Sequence, residues 1–442
     1  MKPATRVLLA ILAVQLIGGP AGPDPAREGS ALADRPAPAP SPSPRIFVGG
    51  ETFPVIEADS LHPAAGWPVW LKDFSNGART EKTSGIAYAG RDGAGRRCFF
   101  LADEVGFFHF CRVRGERDTI RVDLEDVRID ASLLENLRDH LRWDFEELAL
   151  EPMLVASPSS GLPSSRERPA PVDGSIADTL DALLSIEGDA RTPENRVLAV
   201  RLVWEEDASL AGLSAGEGSP ADPLSPGSRA GCWRALGRGD ALPGARFWHK
   251  YTDVDRGLKG LASSGRFVFL GLDNLGRRGD VRIRGSILCV DDRLRNQVAE
   301  VNTATFGIYS IGGLAAPADS VIVVVDRMRM CLDVLQWDDA GTGRVTRCHR
   351  FPLVLPGPGG FHYGIPNIEG VSLDDNGDIW CVSDPLVDHY RAMEPALPET
   401  VHVYLEAGIP MLYRFEGAPV WEAAGIVWPR GAAAGGPDSG RE

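Results

Sequence analysis

The sequence lacks the short spacings by which metal-binding cysteines and histidines are usually recognised. Its 7 cysteines contain no CxxC pair, and none of its 8 histidines belongs to an HExxH motif. Zinc fingers, zinc ribbons and zincin-type proteases are therefore excluded. Two cysteine pairs have the spacing of facing strands in a hairpin, so disulfides and unpaired buried thiols both stay open; these pairs are Cys98 with Cys111 and Cys331 with Cys348.

The chain also lacks an excess of basic residues. Lys and Arg number 46 against 61 Asp and Glu, which gives a net charge of -15. A surface of that sign repels phosphate groups, so nucleic acid and anionic lipid are not expected partners. A small molecule or a protein, cationic or neutral, is the expected ligand.

Long apolar runs are missing beyond the first residues, so no later segment reaches the about 20 residues that span a bilayer. The first run, residues 7–16, follows Lys2 and Arg6 and precedes small residues at 18–21. That order is typical of a secretory signal, with an uncleaved anchor as the alternative. We therefore expect an exported protein, periplasmic or secreted, with no stable membrane span after cleavage. Its expected parts are a signal peptide at 1–22, a Pro/Ala-rich linker at 23–45, a folded domain at 46–430 and a disordered tail at 431–442.

Short apolar runs separated by turns dominate the rest, and two stretches of low complexity interrupt them. These stretches, residues 157–174 and 208–229, are typical of long surface loops. The second contains a GLSAG match to the serine-hydrolase elbow. No strand precedes it and no helix follows, so Ser214 is not assigned as a nucleophile. The one helical pattern covers residues 131–143.

One short motif recurs five times along the chain. It consists of a small or charged residue, then Gly or Glu, then Ile, Leu or Val, then Ala or Ser. Its second positions fall at 85, 147, 260, 313 and 370, with gaps of 62, 113, 53 and 57. Because 113 is close to two periods, a degenerate repeat is expected between 150 and 255. Antiparallel units of this size indicate an all-β β-propeller with six blades, five or seven staying open.

Acidic residues end the second strand of each repeat. Hairpin geometry places these ends beside the starts of the first strands, and the first strand of a blade lies innermost. Both sets should therefore gather at one mouth of the central channel. The second-strand ends are Asp103, Glu187, Asp273, Asp326 and Asp384, and the first-strand starts are Ser84, Glu146, Lys259, Gly312 and Glu369.

Clustered carboxylates repel one another and need compensation. Lys259, Arg327 or a bound hard cation such as Ca²⁺ would supply it. The alternative is that the acids only cap turns or pair with neighbouring arginines, as acids at strand ends often do.

The last repeat, residues 367–372 and 378–384, resembles the last repeat of phytase-like propellers, known for an "esterase-like activity of phytase". Residues 144–149 with 185–189, and 257–262 with 272–274, resemble two further blades of that family. SdiA-regulated-type and lactonase-like propellers share the same signature. The resemblance implies an exported propeller and calcium-assisted hydrolysis of an ester or phosphoester.

Two functions follow as hypotheses. In the first, a mouth-bound cation polarises an ester or phosphoester and activates water. Glu146, Glu187 and Glu369 then serve as ligands or general base, Asp103, Asp273, Asp326 and Asp384 as further ligands, and Lys259 and Arg327 bind the developing anion. In the second, the protein is a non-catalytic propeller of the cell envelope that binds a small ligand or a protein. Convergence of three carboxylate oxygens would favour the first, and acids paired individually with basic groups the second.

Overall fold

The computed structural model describes most of the predicted folded domain. All described residues belong to one unit, residues 43–442. They are 47–48, 51–52, 55–115, 119–137, 145–150, 176–187, 195–206, 231–240, 257–272, 277–278, 281–282, 286–291, 297–308, 310–338, 342–356, 362–384 and 408–428. The predicted signal peptide, the linker, the tail and Asp273 lie outside these residues.

Five sheets of mainly antiparallel strands make up the propeller, and we number them as blades 1 to 5 along the chain. Blade 1 consists of Thr83–Arg91, Arg97–Asp103, Phe107–Arg114 and Arg121–Asp126. Blade 2 consists of Phe145–Leu150, Thr179–Ile186, Arg196–Glu206 and Gly231–Asp240, with Arg128–Ile129 at its outer edge. Blade 3 consists of Leu258–Ser263, Phe267–Leu272, Ser286–Asp291 and Gln297–Asn302.

The last two blades each recruit a strand from the N-terminal part of the domain. Blade 4 consists of Ile311–Ala318, Val321–Asp326, Cys331–Trp337 and Val345–Pro352, with Val55–Glu57 at its edge. Blade 5 consists of Ile368–Leu373, Ile379–Ser383 and Met411–Phe415, with Val69–Trp70 as its fourth strand. Val69–Trp70, and no strand from residues 45–58, pairs with Met411–Phe415, and Val55–Glu57 runs parallel to the last strand of blade 4.

The remaining elements are short. Two-stranded ribbons join Phe47–Val48 to Glu51–Thr52, Arg277–Arg278 to Val281–Arg282, and Val354–Pro356 to His362–Gly364. Helices cover Ala131–Leu137 and Ala418–Ala424, and a 3-10 turn covers Thr303–Phe306. Residues 138–143 of the predicted helical segment lie outside the described residues. A search of the described residues finds no helix with the length and hydrophobicity of a bilayer span.

The innermost strands contact one another in the order of blades 1, 2, 3, 4, 5 and back to 1, which closes a five-bladed propeller. The prediction of six blades was wrong. The 113-residue gap belongs to blade 2, whose connections at 151–178 and 207–230 contain the two low-complexity stretches. Long insertions, rather than a hidden repeat, account for the doubled period.

Apolar side chains fill the spaces between neighbouring blades. Because each sheet is covered on both faces, its inner strands are nearly continuous apolar runs, as in Phe267–Leu272 and Val321–Asp326. Between blades 5 and 1, for example, Trp380 and Val382 pack against Phe99 and Leu101. Successive side chains along a strand point to opposite faces of the sheet, so they pack alternately against the preceding and the following blade.

The cysteines form no disulfide: all 7 are free. Cys98 lies opposite Arg112 while Cys111 lies opposite Phe99, so the two side chains point to different faces of blade 1. In blade 4, Cys331 lies opposite Pro352 and Cys348 opposite Leu335, so they are four residues apart in register. The sequence left disulfides and unpaired buried thiols open as alternatives. These four cysteines are unpaired buried thiols.

Glycines at the second motif position let the five innermost strands approach closely on the axis. A Cβ on Gly370 would lie 2.8 Å from the Ser84 carbonyl oxygen, and one on Gly313 would lie 2.9 Å from the Gly370 Cα. Blade 2 carries Glu147 at the equivalent position. Its Oε1 accepts a hydrogen bond of 3.1 Å from the Ile86 N–H, and its Oε2 lies 2.9 Å from where a Gly313 Cβ would be. Glu147 therefore fills the axis just below the motif's first residues.

Candidate functional site

The mouth is the end of the axis where the first strands begin and the second strands end. Thr83 pairs with Asp103, Ile311 with Asp326, and Ile368 with Ser383. These pairings place the motif's first residues beside the second-strand ends, as the hairpin argument predicted. Ion pairs between blades then show which of the predicted residues meet.

Lys259 joins two predicted glutamates from the neighbouring blade. Its Nζ donates to Glu146 and lies 2.8 Å from Glu187 Oε2. Burial lowers the pKa of Lys259, but the charges of Glu146 and Glu187 outweigh burial and raise it well above its usual value. Because only 10% of the Lys259 side chain and 1% and 4% of the two glutamates are exposed, this is a buried, charged triad.

Arg327 joins blade 4 to blade 5 in the same way. Its Nη1 lies 2.9 Å from Glu369 Oε1 and 2.6 Å from Oε2, and its Nε donates to Ser310 Oγ at 3.3 Å. Burial raises the pKa of Glu369, and the charges of Arg327 and Lys259 oppose that rise. The two basic residues therefore bind carboxylates of the protein itself, which is the compensation that the sequence indicated.

Two predicted metal ligands also cap turns. Asp103 accepts hydrogen bonds from the backbone N–H groups of Glu81, Lys82 and Val105, at 2.9, 3.1 and 3.2 Å. Burial raises its pKa, but the hydrogen bond from His109 and those from the backbone lower it overall. Asp326 Oδ1 accepts from the N–H groups of residues 328 and 329, at 3.1 and 3.2 Å. Both acids therefore cap turns, and their role as metal ligands stays a prediction.

Asp384 is the predicted acid without a basic side chain at ion-pair distance in the described residues. It follows Trp380 and Val382 on the face of blade 5 that meets blade 1, and it is 6% exposed. Burial raises its pKa to about 7, and the charges of Glu104, Glu369 and Asp103 add to the rise. We call Asp384, Glu104 and Asp103 the acidic notch.

The acidic notch also contains a buried hydroxyl. Thr83, opposite Asp103 in blade 1, is fully buried, and its Oγ1 has no hydrogen-bond partner in the part of the chain that the structure describes. His109 Nε2 lies 3.8 Å from Asp103 Oδ2, and the exposed Nζ of Lys82 lies 3.4 Å from Glu104 Oε2. Salt and water screen such a pair strongly, so it compensates little of the charge in the notch.

Calcium binding at the mouth stays a prediction. Calcium takes six to eight oxygen ligands around one point. Among the described residues, one set of three possible donor atoms lies within 4.8 Å of one another, formed by Asp326, Cys331 and Asp333. That set includes one predicted mouth ligand and two residues within blade 4. The roles of Glu146, Glu187 and Glu369 as ligands or base, and of Asp273 as a ligand, stay predictions.

Three groups were not selected from the sequence. Glu104 directly follows Asp103, which was selected, so two adjacent acids at a strand end were the signal that could have identified it. Glu147 was visible as the one non-glycine at the second motif position. It is fully buried, and burial raises its pKa well above the usual value although backbone N–H groups oppose the rise. Asp333 lies inside a third strand, where no motif marked it.

Comparisons with known proteins add little beyond the fold. No protein-family model matches the chain, and no curated protein matches it. Similar solved structures include one described as "Crystal structure of RRP9 WD40 repeats", which is 12% identical with a TM-score of 0.30 and covers 73% of this chain and 91% of that one. Another, "Structure of U3-55K", is 10% identical with a TM-score of 0.30 and covers 73% and 92%. At these values the likeness carries no argument, so the propeller assignment rests on the five sheets described above.

Proposed function

We propose that the protein is a binding propeller that takes a positively charged organic group, an ammonium or a guanidinium, into the acidic notch. The observation that carries this proposal is Asp384, a buried carboxyl group among other acids and without a basic partner at ion-pair distance in the described residues. Lys259 and Arg327 are occupied by glutamates, so the uncompensated charge is concentrated between blades 5 and 1.

The free protein carries an energetic cost in this notch. With a pKa of about 7, the Asp384 carboxyl group is partly protonated at neutral pH. A cation bound beside it would favour the ionised form and release a proton. The affinity for a cation should therefore rise as the pH increases through 7.

The donor geometry favours an organic cation over a bare metal ion. An ammonium group needs a few separate acceptors around it, which two carboxylates and the Thr83 hydroxyl would supply. The net charge of -15 would also attract cationic ligands from a distance.

Calorimetric titration of the full chain with ethylammonium, spermidine and arginine amide tests the proposal. We expect at least one probe to bind, and Asp384→Asn to weaken it by at least about tenfold, because truncating one partner of a buried charge pair costs about 2 kcal/mol or more. Asp59→Asn, an exposed acid outside the mouth, is the matched control. Absence of binding by all three probes, or equal affinity in Asp384→Asn, would contradict the proposal.

A hydrolase that acts on esters or phosphoesters is the second candidate, and one observation favours it. A carboxyl group with a pKa of about 7 suits general acid–base catalysis at neutral pH. Hydrolysis of p-nitrophenyl acetate and p-nitrophenyl phosphate, with calcium and with chelator, tests it. Activity that Asp384→Asn does not lower would remove this role. Export is proposed with either function, and the N-terminal sequence of protein recovered from the cell envelope tests it.

A further inference from the structure

A second polar cluster lies inside blade 4, away from the acidic notch. Asp333 on the third strand lies opposite Arg350 on the fourth, and both are buried. Since residues two apart in a strand share a face, Cys331 lies on the same face as Asp333, and Cys348 on the same face as Arg350. Apolar residues surround the cluster, so its charges are poorly screened.

Three donor atoms of this cluster have the spacing of metal ligands. Cys331 Sγ lies 3.5 Å from Asp333 Oδ2. Asp326 lies opposite Cys331 in register, and one donor atom from each of the three residues lies within 4.8 Å of the others. For Zn–S of about 2.3 Å and Zn–O of about 2.0 Å, the S···O edge of a tetrahedral zinc site is about 3.5 Å.

Hydrogen bonds hold one oxygen of each carboxylate, and the second oxygen of Asp333 faces Cys331. Asp333 Oδ1 accepts from Arg350 Nε at 2.8 Å and lies 3.7 Å from Cys348 Sγ, while Oδ2 faces Cys331. Asp326 Oδ1 is fixed by two backbone N–H groups. Arg350 is fixed in turn, because its Nη2 donates to the Phe306 carbonyl oxygen at 2.8 Å. Such outer hydrogen bonds orient metal-binding carboxylates in known sites.

A divalent cation would offset negative charge in this buried cluster. Arg350 faces Asp333 at 2.8 Å and also lies 3.8 Å from the partly exposed Glu57, so it is shared between two carboxylates. Burial disfavours negative charge on Asp333 and on a Cys331 thiolate, and a bound cation favours it. A thiolate ligand favours zinc over calcium or magnesium, which prefer oxygen.

We propose that blade 4 binds one Zn²⁺ through Cys331 Sγ, Asp333 Oδ2 and a carboxylate oxygen of Asp326. On binding, the Cys331 S–H bond breaks, its proton goes to solvent, and the sulfur forms the Zn–S bond. Cys348 and Arg350 stay outside the ligand set and orient Asp333. This site is independent of the cation that the acidic notch would bind.

Metal analysis of the full chain tests the site directly. The wild type, purified without chelator after growth with zinc, should contain about one Zn²⁺ per chain. Protein produced with cobalt should show a thiolate-to-cobalt charge-transfer band in the near ultraviolet. Cys331→Ser should lose the band and most of the metal. Cys111→Ser, an equally buried cysteine in blade 1, should keep both.

The wild type alone can overturn the proposal, so the result does not depend on whether Cys331→Ser folds. Folded wild-type protein that takes up neither zinc nor cobalt would refute the site. Equal metal content in Cys331→Ser and wild type would refute it as well. Asp326→Asn gives an independent check, since it keeps the thiol and should still lose most of the zinc.

Discussion

Lys259 provides the sharpest test of how the mouth is held together. In Lys259→Met the apolar stem is roughly kept and the charge is lost. Glu146 and Glu187, at 1% and 4% exposure, then face each other without a cation. Removing one partner of a buried ion pair costs about 3–5 kcal/mol, because the remaining charge is left desolvated. Two carboxylates depend on this one cation, so we expect Lys259→Met to lower the free energy of unfolding at pH 8 by an amount in the upper part of that range.

The pH dependence of this loss follows from the glutamates. Without Lys259, burial and mutual repulsion raise the folded-state pKa of both above the unfolded value of about 4.3. A carboxyl group with a raised folded-state pKa loses stability as the pH rises above its unfolded pKa. The raised pKa of Lys259 itself adds no slope in this range, because the amine is protonated in both states below about pH 10. The deficit should therefore be small at pH 4 and large at pH 8.

Urea unfolding of wild type and variant at pH 4, 6 and 8 measures this difference. The triple variant Lys259→Met, Glu146→Gln, Glu187→Gln is the matched control, since it keeps the shapes and removes the buried charges. It should recover most of the lost stability at pH 8. A deficit of equal size at pH 4 and pH 8, or a triple variant no more stable than Lys259→Met, would show that packing and not charge holds the triad.

Two further predictions concern single carboxyl groups whose folded-state pKa is raised. Glu147→Gln should match the wild type near pH 4 and exceed it at pH 8, by about 1.4 kcal/mol for each pH unit between the unfolded pKa and the folded one, because the wild-type axial acid must stay protonated to fold. Urea unfolding checks this, and equal stability at pH 8 would mean that Glu147 is ionised in the fold. Asp384→Asn should be more stable than the wild type at pH 8, by at most about 4 kcal/mol, and equally stable below pH 4. Thermal unfolding at the two pH values checks this, and a loss of stability at pH 8 would mean that the carboxylate has a partner in the fold.

The sequence predicted the propeller because its motif carries a geometric requirement. Glycine recurs at the second motif position where backbones meet on the axis, as at Gly313 and Gly370, so the pattern is visible without coordinates. The blade number was not predictable from the period alone. An insertion lengthens the gap between two motifs as a hidden repeat would, and residues 151–175 and 207–230 are such insertions in blade 2.

Within the mouth, the sequence identified the residues better than their partners. Lys259 and Arg327 were expected to compensate the acids, and they contact Glu146, Glu187 and Glu369. Which acid pairs with which basic residue depends on how neighbouring blades rotate about the axis, and no local pattern encodes that rotation. Cys331 and Asp333 were missed as a pair for a similar reason. Their proximity to Asp326 depends on the register between two strands, and the spacing of one strand does not show it.

The closing of blade 5 has a consequence for synthesis on the ribosome. Val69–Trp70 precedes all four strands of blade 1, whereas its partner, Met411–Phe415, follows every other described blade strand. Blades 1 to 3 have all their strands earlier in the chain, and they can form while translation continues. The circle itself stays open until Met411–Phe415 has left the exit tunnel, and until then the strand at Val69–Trp70 has unpaired amides that other chains can contact.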